Sequence, residues 1–119
     1  MSFAFLDNWT KADIEAVIAR NDPAELVYVP VAVSMDPPDD GPWAEGVCLA
    51  LAEHADAQVR ANSILGFGHL ARVLRAIHDA PAVRAAVERA LADPDKRIAG
   101  QADAAADDLS HFLGWTFAR

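Results

Sequence analysis

Leu51-Ala-Glu-His-Ala-Asp-Ala-Gln-Val-Arg60 reads as the end of one helix, a turn and the start of the next. Asp56 is the pivot. A short carboxylate just ahead of a helical pattern accepts the N–H groups that the first turn of a helix leaves unpaired. Beyond it, Val59, Ser63, Gly66, Leu70, Val73 and Ile77 fall along one face of a helix over 56 to 77. Before it, Trp43, Val47, Leu51 and His54 recur at helical spacing. The stretch therefore predicts an antiparallel helical hairpin.

The same pattern returns downstream. Asp56, Val59, Leu70, Val73 and Leu74 line up with Asp95, Ile98, Leu109, Phe112 and Leu113 at an offset of 39, and Leu51 with Leu91 at 40. Self-similarity at a fixed period of this size marks stacked helical units. In the second unit Asp79 and Pro81 open a helix carrying Val83, Val87 and Leu91. Asp93-Pro94-Asp95 turns the chain, and Ile98, Ala102, Ala105, Leu109 and Phe112 continue it. Trp115 and Phe117 are placed to cover the exposed end of the last hairpin. Upstream, Asp36-Pro-Pro-Asp-Asp-Gly-Pro42 is a loop, because its prolines remove donors and fix extended backbone. Thr10 with Asp13 forms a helix start ahead of Ile14, Val17 and Ile18, in a helix ending near Arg20, and Asp22-Pro23 opens the next element. Leu26 to Val33 is a buried helix kinked at Pro30 or a buried strand, of which the helix is favoured.

Two helices per unit, with Asp in the turn and a following Val59-Arg60, resemble the HEAT repeat, whose period is roughly 40 to 47 residues. The resemblance spans about residues 42 to 113 and weakens in the second unit, where Ala99 stands in place of the arginine. It implies an all-α fold: a short α-solenoid of about three stacked antiparallel hairpins in one domain. Residues 1–35 would be a degenerate N-terminal capping hairpin, 42–78 and 79–113 the repeats, and 114–119 a C-terminal cap. In that architecture the second helices line a concave face, so the binding candidates are Asn62, His69 and Arg72 on the first repeat and Asp103, Asp107 and Asp108 on the second. Gly66 and Gly68 suit close packing between helices.

Composition narrows the partners. One domain accounts for 119 residues, and a 53% apolar content fills one core. A net charge of −8 repels phosphate backbones and anionic lipid, arguing against nucleic acid and membranes and for a basic protein. The opening residues lack the pattern of a leader, and no run reaches the roughly 18 apolar residues of a membrane span, so a cytoplasmic site is expected. Cys48 is the single cysteine and reads as a buried thiol.

Catalytic constellations are absent from the sequence. Gly66-Phe-Gly68 lies inside a helix with no following Lys-Ser or Lys-Thr, and no serine sits in a Gly-x-Ser-x-Gly turn. Asp103, Asp107 and His111 form a column on one helix face, but such a column spreads over roughly 12 Å, too long for one ion. Asp36, Asp39 and Asp40 lack the alternation of a calcium loop and read as capping and solubilising groups. No cofactor or metal is expected. The reading reached is a non-catalytic interaction module for a basic protein, with self-association open through 115–117. Small acidic HEAT-like proteins with a second helix similar to Val59-Arg60-Ala-Asn62 through Arg72 resemble bacterial immunity proteins, which implies an inhibitor of a basic toxin. The alternative is a small enzyme or ligand-binding protein with His69, Arg72, Asp107 and Asp108 around a pocket, since HEAT-like folds also include bilin lyases and DNA glycosylases.

Overall fold

A computed structural model describes residues 8–38 and 41–119, and it is all-helical across them. The elements are α1 (Lys11–Arg20), α2 (Pro23–Leu26), α3 (Val29–Met35), α4 (Gly41–Leu51), α5 (Ala57–Leu74), α6 (Ala80–Leu91) and α7 (Lys96–Leu113). Helix starts follow the local chemistry of the sequence. Thr10 and Asp13 form a reciprocal box, the Asp13 N–H donating to Thr10 Oγ1 at 3.2 Å and the Thr10 N–H to Asp13 Oδ2 at 2.8 Å. Asp22, Asp56, Asp79 and Asp95 each accept first-turn N–H groups.

α5 and α7 are the framework. Both run 18 residues, and their Asp caps stand 39 positions apart, as do their ends. They pack on one another more extensively than any other pair of elements, while α4 packs on α5, α6 on α7, and α3 on the far side of α5. The thinnest dimension of the molecule, 19 Å, holds two helix layers of roughly 10 Å each. One core runs through them, with Phe67, Leu70, Ile98 and Leu109 among its largest fully buried side chains. Close approach of the central pair rests on Gly68, where an added Cβ would lie 3.0 Å from Ala105 Cα and 2.9 Å from Asp108 Oδ2. Gly66 performs the same service toward the Cys48 thiol, 2.9 Å from where a Cβ would stand.

Several local expectations are corrected. Residues 24–35 contain no strand and no kinked helix. The chain breaks at Val27 and Tyr28, and Pro30 sits in the first turn of α3, where its missing N–H costs nothing. Gly41 and Pro42 belong to α4 rather than to a loop, while Asp39 and Asp40 lie outside the described residues. His54 is not on the helix face of α4 but in the turn after it. Its Nδ1 accepts the Asp56 N–H at 3.0 Å, so Nε2 carries the proton and donates to Asn21 Oδ1 at 2.7 Å. α5 stops at Leu74 because Arg75 turns left-handed, with φ 56°. Val73 is consequently 43% exposed, and Ile77 packs from the following loop.

Candidate functional site

The six candidate residues separate into three settings. Asn62 is a strut: its Nδ2 donates to the Val27 carbonyl at 2.8 Å and its Oδ1 accepts from Gln58 Nε2 at 2.9 Å. It holds α5 against the break between α2 and α3, satisfying a carbonyl that this break leaves without a helical partner.

His69, Arg72 and Asp108 form the second setting. Ser34 on α3, fully buried, brings its Oγ 3.1 Å from His69 Nδ1. That bond pins the half-buried ring and leaves its Nε2 edge for other contacts. Burial holds the His69 pKa below its ordinary value, the Arg72 charge lowers it further, and Asp108 opposes both. Arg72 on α5 and Asp108 on α7 thus act on the imidazole in opposite senses. Ser34 was not singled out in the sequence, where it follows an apolar run and carries no motif. Its burial rules out a nucleophilic role, since no substrate can reach its oxygen.

Asp103 and Asp107 form the third setting, and their neighbour is Arg119. Its Nη1 donates to Asp103 Oδ1 at 3.0 Å and its Nη2 to Asp107 Oδ1 at 2.5 Å. The acidic column on α7 is therefore bridged by a guanidinium from the same chain. Residues 114–119 return along α6 and α7: Arg84 donates to the Thr116 carbonyl at 2.8 Å, and its guanidinium lies 5.0 Å and 5.1 Å from the ring centroids of Trp115 and Phe117. Both rings pack half-buried on the core.

Two further groups are buried, Glu45 and Cys48. Glu45, 4% exposed, accepts the N–H groups of His78 at 2.7 Å and Asp79 at 2.8 Å, clamping the start of α6 with a negative charge where the helix dipole favours one. The Cys48 thiol is pushed up to about 12, first by burial and then by Glu45, so it stays protonated and inert. Among the described residues no cluster of His, Cys, Asp or Glu has the geometry to hold a metal ion, and no helix is long and apolar enough to cross a membrane. A cleft of about 220 Å³ between the hairpins carries Arg60 and Arg89 over a floor that includes Ile64 and Ile98. Arg60 is tied to the turn, donating to the carbonyls of His54 and Ala55. Compared with known proteins, the chain matches no family model, no curated protein and no solved structure.

Proposed function

We propose that this chain is a short stack of HEAT-like hairpins that works, without catalysis, as a binding module for a basic protein, in the manner of an immunity-type inhibitor. The stack is supported by the equal lengths and matching caps of α5 and α7, and by the order α3, α5, α7 across the layer they share. Free cytoplasmic operation fits a lone, buried, protonated thiol.

The observation that carries the binding reading is where the charges go. Most of the ten cationic side chains are engaged internally: Arg20 with Glu25, Arg60 with two carbonyls, Arg75 over Phe112, Arg84 with the returning segment, Arg97 with Asp95, and Arg119 with two aspartates. Glu15, Asp36, Glu53 and Glu88 stand exposed. With a net charge of −8 the surface offered to an approaching protein carries an excess of acid, and it steers cationic partners at a rate that falls with salt. Capture from host lysate at low salt tests this. One basic protein should be retained, released by salt, and lost when Asp103, Asp107 and Asp108 are changed to lysine; retention unaffected by salt and by the substitutions contradicts the reading.

A ligand-binding alternative draws on one observation, the half-buried His69 pinned by Ser34 and sensing the charges of Arg72 and Asp108. It predicts that a small anion shifts the His69 imidazole resonances in proportion to added ligand, and that His69→Gln abolishes a thermal shift from the same ligand.

A further inference from the structure

Residues 114–119 are held in a way that a simple end cap does not require. At the offset of 39, Asp103 and Asp107 occupy the positions of Ile64 and Gly68 in the first repeat. There Ile64 is buried, and Gly68 lets α7 approach α5. An uncovered outer face of such a layer needs only polar side chains turned to water. Instead, the two carboxylates converge on one guanidinium, while Arg84 grips the two aromatic rings that precede it by four and two positions and donates to the carbonyl between them. These contacts read side chains: an aromatic, a second aromatic two residues on, and an arginine two residues after that. They are also exchangeable. The carboxylates remain 62% and 72% exposed, and among the described residues the backbone bonds from the segment to α7 are the cap bonds of Gly114 and Trp115. Gly114, left-handed with φ 72°, provides the hinge at which the segment leaves the helix.

We propose that the α6–α7 end face is a recognition surface for an extended, arginine-bearing aromatic segment of a basic partner, and that residues 114–119 occupy it in cis as a stand-in for that segment. This rests on the binding-module reading and adds the chemistry of the occupant. Swinging the segment out leaves Asp103 and Asp107 without their cation beside Asp108, an acidic strip matched to arginine, with Arg84 free to stack on incoming rings. A bound partner segment repeats the contacts of the displaced one, so the intramolecular segment sets a threshold that weak cationic ligands do not pass.

The test uses the full chain carrying Trp115→Ala, Phe117→Ala and Arg119→Ala, titrated with an acetylated, amidated pentapeptide of sequence Trp-Thr-Phe-Ala-Arg. Binding should be at least tenfold tighter than to the unsubstituted chain. It should be lost when Asp103→Asn and Asp107→Asn are added, or when the peptide's arginine is replaced by glutamine. A folded triple variant that binds the peptide no better than the unsubstituted chain overturns the proposal and leaves 114–119 as an end cap. If the triple variant does not fold, excess peptide is added to the unsubstituted chain and the Trp115 indole N–H is followed by NMR. Movement to a solvent-exposed position supports displacement, and a fixed resonance at saturating peptide rejects it. Peptide binding without recovery of any basic protein would sink the broader function while sparing this surface; charge-sensitive capture of a basic protein without peptide binding would do the reverse.

Discussion

The α4–α5 and α6–α7 pairs place side chains 39 positions apart in matching places and use them for opposite ends. In the first pair, Glu45 reaches from α4 to the segment after α5 and accepts the N–H groups of His78 and of Asp79, the residue that caps α6. Thirty-nine positions on, Arg84 reaches from α6 to the segment after α7 and donates to a carbonyl. The acid belongs where a helix follows, because a helix start presents bare N–H groups. The base belongs where the chain runs on extended, because an extended segment presents carbonyls and, here, aromatic faces. The helix that precedes each segment differs likewise. α5 carries Ile64 and Gly68 because another helix must seat on it, and α7 carries Asp103 and Asp107 because water and a guanidinium do. The offset of 39 supplies the slot, and the residue in it records how the chain continues.

The largest effect should come from breaking the first slot. Glu45→Ala orphans two main-chain donors at a buried site and should cost about 2–4 kcal/mol by chemical denaturation, against less than about 1 kcal/mol for Arg84→Ala at the more exposed equivalent. Equal losses would show that the two positions are not performing matched tasks.

Glycines sharpen the same contrast with a change of sign. Gly68→Ala pushes a methyl against the Ala105 backbone and should destabilise by about 1–3 kcal/mol. Gly100→Ala on α7 meets nothing within 4 Å and should stabilise by about 0.5–1 kcal/mol through helix propensity. Denaturant midpoints of the two variants should therefore move in opposite directions.

The smallest expected effect concerns His69. Its folded pKa lies below the ordinary 6.5, so the unfolded chain takes up the proton first as pH falls. The contribution is present above pH 6.5 and is lost as pH drops through the lowered folded value. His69→Asn should flatten that part of the stability profile without changing its slope above pH 7. An unaltered profile would mean that burial does not depress this imidazole.

What was legible in the sequence was local. The caps at Thr10, Asp22, Asp56, Asp79 and Asp95 act within three residues of themselves, so their chemistry is written beside the helices they start. The break at Val27 was not legible, since Pro30 is equally at home in a first helical turn and at a kink. Helix ends misled for a related reason: His54 and Ile77 keep the spacing of the preceding helix, yet one bonds across to Asn21 and the other packs from a loop. The site was harder still. Glu45, Ser34, Arg84 and Arg119 act on residues 12 to 35 positions away, and nothing in their sequence neighbours distinguishes them from surface groups. Asn62 fitted the strip with His69 and Arg72 by spacing alone, and only the packed helices reveal the carbonyl that occupies it.

The measurement that bears most directly on the central claim is the association rate of the chain with the basic protein it retains, followed across ionic strength. The account predicts a rate that falls steeply with added salt, and a drop of at least tenfold at low salt when Asp103, Asp107 and Asp108 are reversed to lysine, with dissociation changed less. A rate indifferent to salt and to these three reversals would contradict it.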